Sequence, residues 1–277
     1  MNRLIAAFPT QLQHAYSAAD MVSNFETAPR SISSLMGAEG LHQIGNSASV
    51  MRLYHQLGVR YITLTHDCNN IYADAALANE SAHGGLSSAG RKLILEMNRI
   101  GMLIDLSHTS DATMTDTLKT TLAPVIFSHS SSRAVCEHVR NVPDSVLLQV
   151  RDNGGLVMVS FYPEYTNCES PQAASLADVV DHMIYIGNLI GFQHVGIGSD
   201  FDGMSHGPKG LEDVSKYPKL IEELIKRGLD TMEIEGVLER NILRVLSEAE
   251  KVASTLNHIS PLEDEIKYQS HYARLLK

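Results

Sequence analysis

Strand-like and helix-like segments alternate along almost the whole of this 277-residue chain. Short apolar runs, typical of buried strands, are separated by longer segments in which apolar residues recur at a helical spacing. The predicted strands cover residues 32–38, 60–65, 102–106, 124–128, 156–161 and 194–198, with a weaker one at 11–16. The predicted helices cover residues 47–57, 87–100, 110–121, 143–152, 176–190, 218–227 and 232–255. Strands joined by helices of this length form a parallel sheet with right-handed crossovers.

This pattern predicts the α/β class and, within it, a (β/α)8 barrel of the TIM type. A closed barrel of this type has eight strands, whereas the sequence contains six clear candidates and a weak seventh. Because helical sequence follows the last candidate, we expect the deficit at the N-terminal side, so that the barrel lacks its first strand. The chain contains no internal repeat, low-complexity tract or charged linker. We therefore expect a single domain over residues 1–277.

Charge and hydropathy exclude several classes of partner. The formal net charge of −10 and the pI near 5.7 argue against nucleic-acid binding, which requires a basic face. No apolar run approaches the roughly 18–20 residues that cross a bilayer. Because Pro9 interrupts the first apolar stretch, we expect no signal peptide in the residues given, and we expect no anchor signal in the last ones. As written, the chain is expected to be cytoplasmic; it would be secreted if the natural protein has a longer N-terminus.

Three predicted strands each end at or near a potential metal ligand. Glu39, His108 and His129 follow the apolar runs LMGA, MLIDLS and APVIFS. In a parallel α/β barrel the carboxyl ends of the strands meet on one face, where active sites are built. One carboxylate and two imidazoles arriving there would form a pocket for Zn²⁺ or a similar divalent ion. The alternative is that two of the thirteen histidines fall at strand ends by chance.

Several long segments resemble the membrane, or renal, dipeptidases, a family of zinc metallopeptidases with an amidohydrolase-like barrel. The resemblance covers nearly the whole chain up to about Leu256. The segments are GAEG (37–40), GVRYITLTHDCNN (58–70), GLSSAGRKLILEMNRIGMLIDLSHTS (85–110), APVIFSHSSSRAVCEHVRNVPD (123–144), VGIGSDFDG (195–203) and GLEDVSKYP (210–218). The resemblance implies hydrolysis of the single peptide bond of small dipeptides by metal-activated water.

The resemblance also implies a metal site with two zinc ions. Glu39 matches the glutamate that bridges them, and His108 and His129 match the two histidines that complete one of the ions. The other ion is held in the family by a His-x-Asp pair near the N-terminus. No such pair precedes Glu39, and His14 is followed by alanine. One fully liganded zinc site is therefore expected here.

Three further residues match substrate and catalytic positions of the family. His66 matches the histidine that contacts the scissile carbonyl or its oxyanion. Arg140 matches the arginine that binds a terminal carboxylate, for which a bidentate guanidinium is suited. Asp200 matches the aspartate that accepts a proton or holds the free amine, although the sequence does not exclude Asp202. The predicted catalytic residues are thus His66 and Asp200, and Arg140 joins them in substrate binding.

Carboxylates near the predicted barrel mouth are candidates for orienting the histidines. They are Asp67, Asp105 and Glu164.

The missing His-x-Asp pair leaves several explanations open. One explanation is that the chain is a fragment of an ordinary dipeptidase. Another is that it is a short protein that has lost the two-zinc chemistry and acts as a binding protein. A third explanation is a single zinc ion at Glu39, His108 and His129 with weakened hydrolysis. A non-peptide hydrolase of the same barrel group, acting on an amide or lactam, is a further alternative.

Two other expectations come from the resemblance. Cys136 and Cys168 match a pair that forms a disulfide in secreted members, whereas the partner of Cys68 would lie in the absent N-terminal portion. The family often forms homodimers.

Overall fold

The computed structural model describes residues 1–28 and 31–264, through which strands and helices alternate. The strands of this part are β1 (Leu12–His14), β2 (Ile32–Ser34), β3 (Met36–Glu39), β4 (Val59–Thr63), β5 (Leu103–Asp105), β6 (Ile126–Phe127), β7 (Leu156–Val159) and β8 (Val195–Ile197). Its α-helices are α1 (Asn2–Ala7), α2 (Ala18–Thr27), α3 (Ala48–Gln56), α4 (Ser88–Ile100), α5 (Asp111–Thr120), α6 (Asp144–Asn153), α7 (Pro163–Thr166), α8 (Leu176–Ile190), α9 (Tyr217–Lys226), α10 (Thr231–Glu235) and α11 (Asn241–Thr255). The predicted single domain also includes residues 29–30 and 265–277, which lie outside the described residues, and it stays a prediction.

The strands β3 to β8 form one parallel sheet in chain order, which confirms the predicted α/β class. The prediction of one strand over residues 32–38 is wrong in detail, because Leu35 separates two strands. The first of them, β2, pairs with β1 in a separate parallel sheet. Within residues 1–28 and 31–264, β3 and β8 each have a strand neighbour on one side only. The barrel is therefore open between them, on the side where the sequence predicts a missing strand.

The seven predicted helices are present because their ends carry strong local signals. The side chains of Ser47, Ser87 and Ser110 accept hydrogen bonds from the first turns of α3, α4 and α5. Gly101 and Gly154 end α4 and α6 in the left-handed conformation that favours glycine. The last predicted helix, residues 232–255, is interrupted by a π-helical turn at Gly236–Arg240.

Helices α1, α2 and α7 were not predicted. In α2 the large apolar side chains of Val22 and Phe25 are exposed, so the segment lacks the buried stripe on which the sequence prediction depends.

Successive strand residues face opposite sides of the sheet and build two apolar clusters. Ile104, Phe127 and Val157 belong to the large cluster that includes buried residues of α3, α4, α6 and α8. The alternating residues Leu103, Ile126 and Leu156 belong to a smaller cluster with α2 and α11. Both faces of the central strands are thus buried, which holds their carboxyl ends in fixed positions.

Two of the earlier expectations concern a disulfide and membrane-spanning segments. Cys136 and Cys168 form a disulfide, and Cys68 is exposed and unbonded. Within the described part of the chain, no helix has both the length and the apolar character needed to cross a membrane.

The long connection between β4 and α4 is organised around the buried carboxylate of Asp74. Its two oxygens accept hydrogen bonds from the Ser81 hydroxyl and from the backbone N–H groups of Ala82, His83 and Gly85. Burial alone would raise the pKa of Asp74, but these hydrogen bonds outweigh it and lower the pKa to about 2. The connection borders the carboxyl ends of the strands, so Asp74 stabilises the surroundings of the site described below.

We expect Asp74→Asn to lower the free energy of unfolding by about 2 kcal/mol at neutral pH. Since the folded-state pKa lies below the unfolded one, this contribution is complete above about pH 4 and is lost as the pH falls towards 2. Urea unfolding of both proteins at several pH values measures the difference. Asp152→Asn, at an exposed position, is the matched control. A difference that stays constant from pH 7 to pH 3 would contradict the assignment.

Candidate metal and substrate site

The register of the sheet places the site residues in two rows. Glu39 pairs with Thr63, Thr63 with Asp105, and Asp105 with Ile126, so these residues lie side by side at the ends of β3 to β6. His66, His108 and His129 each follow their own strand's member of this row by three positions. Equal offsets from one row bring the three imidazoles to the same edge of the sheet, next to the Glu39 carboxylate.

Glu39, His108 and His129 meet at a single point. The Nε2 atoms of His108 and His129 each lie 3.1 Å from Glu39 Oε1 and 2.9 Å from one another. Ligand atoms around a tetrahedral zinc ion, at about 2.0–2.1 Å from it, are separated by roughly 3.3 Å. The triangle formed by these three atoms therefore fits a zinc ion with only small shifts of the side chains. Its nitrogen and oxygen donors are also those that zinc accepts.

His66 lies at the edge of this group. Its ring centroid is 4.4 Å from that of His108, and its side chain is 43% exposed. Potential ligand atoms of His66, Glu39 and His108 all lie within 4.8 Å of one another. His66 therefore faces the same space as the three candidate metal ligands, from the solvent side.

Electrostatics couple the members of the group. Contacts with the side chains of His108 and His129 hold the pKa of Glu39 well below its ordinary value, against the effect of burial. Burial lowers the pKa of His108, against the effect of its hydrogen bond with Glu39. The arrangement favours an ionised Glu39 beside a neutral His108, which are the protonation states that bind a metal ion.

Backbone strain coincides with two of the predicted site residues. Among the described residues, three that are not glycine have a left-handed backbone: Asn46, His108 and Asp200. This conformation is unfavourable for most side chains and is often retained at functional sites. His108 is held there in part by a hydrogen bond from Thr65 Oγ1 to its carbonyl oxygen.

The Arg140 guanidinium is buried in the described part of the chain, where two of its nitrogens lack a hydrogen-bond partner. Only 2% of the residue is exposed, and Nε and Nη1 have no partner among the described residues. The guanidinium carbon lies 5.3 Å from the centroid of the Tyr165 ring. Burial lowers the pKa of Arg140, an effect opposed by Tyr165 and by the carboxylates of Asp105, Asp200 and Glu39. A buried guanidinium is costly unless something pairs with it, so Arg140 presents an anion-binding group at the site.

The segment that carries Arg140 is fixed on both sides. Asn141 Nδ2 donates hydrogen bonds to the carbonyl oxygens of Cys136 and Tyr165. Arg133 forms a bidentate ion pair with Asp111, at 2.6 and 2.7 Å. Together with the disulfide, these contacts hold the backbone on both sides of Arg140 in place.

The structure distinguishes Asp200 from Asp202. Asp200 lines a cavity of about 350 Å³ together with Ser128 and His129, whereas Asp202 is exposed. A side chain at Gly203 would collide with the Asp200 carboxylate, since a Cβ there would lie 2.3 Å from Oδ1. Burial raises the pKa of Asp200, and the charge of Glu39 acts in the same direction. The cavity lies on the open side of the sheet, where Leu35 and Ile197 also line it.

Two of the three candidate orienting carboxylates approach the histidines. Asp67 Oδ1 lies 3.4 Å from His108 Nδ1, and the Asp105 carboxylate accepts a hydrogen bond from Ser128, which in turn contacts His129 Nδ1. Glu164 is exposed. Sequence reasoning overlooked Ser128; its position directly before His129 in FSHS was the available signal.

The chain matches the family described as membrane dipeptidase, peptidase family M19, over residues 1–260. Dipeptidase aclJ of Aspergillus oryzae is 58% identical over 267 residues, an alignment that covers 96% of this chain and 63% of that protein. Dipeptidase tcpJ of Claviceps purpurea is 48% identical, with 96% and 62% covered. The chain thus spans about three fifths of the length of the curated relatives it matches.

A solved structure with the same fold comes from a bacterial metallo peptidase. The protein from Rhodobacter sphaeroides, solved with a phosphinate mimic of the dipeptide L-Ala-D-Ala, has a TM-score of 0.78 and 27% identity. This match covers 86% of the present chain and 69% of the other. The agreement of sequence and fold shows that the chain belongs to the membrane dipeptidase family of metallopeptidases.

Proposed function

We propose that this protein is a zinc-dependent dipeptidase that uses one metal site formed by Glu39, His108 and His129. The observation that carries the proposal is the meeting of three ligand atoms within 3.1 Å of each other, close to a buried and unpaired guanidinium. The family to which the chain belongs supports both the metal and the substrate class. When bound, a zinc ion would act as a Lewis acid, which lowers the pKa of a coordinated water molecule and polarises a carbonyl group.

Arg140 is proposed to bind the carboxylate at the C-terminus of the dipeptide. The carboxylate supplies the missing partner of the guanidinium, and a bidentate pair fixes both the position and the orientation of the substrate. A longer peptide has an uncharged amide at this point and leaves Arg140 unpaired. The contact therefore explains a preference for substrates of two residues.

His66 and Asp200 are proposed to act on the scissile bond. His66, on the solvent side of the ligand group, donates a hydrogen bond to the carbonyl oxygen as negative charge develops there. Asp200 accepts a proton from the attacking water and returns it to the leaving nitrogen. The water oxygen forms the new bond to carbon, the C–N bond breaks, and a free carboxylate and amine leave. The homodimer expected from the family stays a prediction.

A substrate panel with zinc-loaded protein tests this proposal. We expect hydrolysis of Ala-Ala, and a loss of roughly 10- to 100-fold in kcat/KM for its C-terminal amide and for Ala-Ala-Ala. Both of these have an uncharged amide at the position where Ala-Ala has the carboxylate that Arg140 binds. The phosphinate mimic of a dipeptide should inhibit. No turnover and no inhibitor binding would indicate a non-catalytic barrel. Equal turnover of the dipeptide and its amide would favour a hydrolase of other amides.

A further inference from the structure

A buried set of hydrogen bonds leads from Asp105, at the end of β5, to His129. Ser128 Oγ lies 2.5 Å from Asp105 Oδ2 and 2.7 Å from His129 Nδ1. The other groups that contact the Asp105 carboxylate are Thr63 Oγ1 and the backbone N–H groups of Ser107 and Ser128. The two N–H groups can only donate, and both donate to Oδ1, whereas Oδ2 is contacted by the hydroxyl groups of Thr63 and Ser128. Asp105 therefore acts as an acceptor, as an ionised carboxylate does.

The direction of these hydrogen bonds decides which nitrogen of His129 carries the proton. The Ser128 hydroxyl has one hydrogen, which it donates to the Asp105 carboxylate. The lone pairs of Ser128 Oγ are then available to accept a hydrogen bond from His129 Nδ1. A neutral imidazole protonated on Nδ1 has a free lone pair on Nε2. That nitrogen is the one 3.1 Å from Glu39 Oε1 in the ligand group.

We propose that Asp105 is a positioning residue that acts through Ser128 to hold His129 in the tautomer required for metal binding. The proposal rests on the proposed function in taking His129 as a metal ligand. Carboxylates often orient metal-binding histidines directly, whereas here a serine hydroxyl lies between the two groups. His108 is supported differently: its Nδ1 lies 3.4 Å from Asp67 Oδ1 but forms no hydrogen bond among the described residues.

The variant Asp105→Asn reverses the direction of the hydrogen bonds. Its amide oxygen can still accept from the backbone N–H groups of Ser107 and Ser128, which leaves the NH₂ group facing Ser128 Oγ. The Ser128 hydroxyl then donates to His129 Nδ1, and the ring proton moves to Nε2, where it obstructs the metal ion. The same exchange of tautomers accounts for the effect of an Asp-to-Asn change in a serine-protease triad.

Nitrogen-15 NMR of histidine-labelled, metal-free protein at about pH 8, where ordinary imidazoles are neutral, reports the tautomer. The His129 signals are identified by their loss in His129→Gln. We expect Nδ1–H in the natural protein and Nε2–H in Asp105→Asn. Zinc affinity, measured by competition with a chromophoric chelator, should fall about 10- to 100-fold in that variant.

Three further variants keep the test decisive if Asp105→Asn does not fold. Ser128→Ala should give mixed tautomers and weaker zinc binding, and Ser128→Thr, which keeps the hydroxyl, should restore both. Thr117→Val is the matched control, because it removes a buried hydroxyl of α5 that has no hydrogen-bond partner among the described residues and leaves Asp105, Ser128 and His129 connected.

Two results would overturn the proposal. One is an Nε2–H tautomer of His129 in the natural protein. The other is unchanged zinc affinity in Ser128→Ala with His129 still protonated on Nδ1. A protein that shows the expected tautomers and zinc affinities but does not hydrolyse dipeptides would contradict the proposed activity alone.

Discussion

Replacing Arg140 with methionine should lower kcat/KM for a dipeptide by roughly 10- to 100-fold, because hydrogen bonds between charged groups contribute about 1.5–3 kcal/mol. The same change should leave the free energy of unfolding unchanged or increase it. The reason is that the guanidinium Nε and Nη1 are buried without a hydrogen-bond partner among the described residues, and an apolar side chain of similar length avoids that desolvation cost. Steady-state kinetics and urea unfolding on the same preparations measure both quantities.

A comparison with the amidated dipeptide shows whether the effect of Arg140→Met comes from the substrate carboxylate. If Arg140 binds the substrate carboxylate, the free and amidated dipeptides should be hydrolysed at similar rates by Arg140→Met, since the interaction that separates them has been removed. Arg151→Met, at an exposed position, is the matched control and should behave like the natural protein. An unchanged preference for the free dipeptide in Arg140→Met would show that another group binds the carboxylate.

His129→Ala and Glu39→Gln should each weaken zinc binding by more than about 100-fold. Loss of an outer-shell partner already costs about 10- to 100-fold in metal affinity, and these substitutions remove or neutralise a direct ligand. Dipeptide hydrolysis should be lost in parallel. Zinc affinity is measured by chelator competition, with the exposed His258→Ala as the control. Zinc binding that survives both substitutions would exclude this ligand set.

The architecture could be predicted because its signals are local. Serine caps and left-handed glycines define the ends of the main helices, and the buried strands are short apolar runs between them. The split of residues 32–38 could not be predicted, since β2 pairs with β1 rather than with the main sheet. That choice depends on contacts between distant segments. Helix α2 escaped prediction because only small or partly buried residues such as Ala18 and Met21 face a core, whereas Val22 and Phe25 are exposed.

Candidate site residues could be selected from the sequence because they lie at the carboxyl ends of predicted strands. Glu39, His108 and His129 were selected from their place in the sequence and from the family resemblance, and the register explains why they converge. Two features of the site could not be predicted from the sequence. One is the lack of hydrogen-bond partners for the Arg140 guanidinium, and the other is the set of hydrogen bonds from Asp105 through Ser128 to His129. Both depend on distances across neighbouring strands and loops, which the sequence does not contain.

The central claim is that zinc bound by Glu39, His108 and His129 supports dipeptide hydrolysis. The most direct test measures zinc per chain by elemental analysis and Ala-Ala hydrolysis on the same samples, at increasing zinc loading and after chelation. We expect one tightly held zinc ion per chain, with turnover that rises in proportion to zinc and disappears when zinc is removed. Zinc-saturated protein without turnover, or turnover that persists after chelation, would contradict the claim.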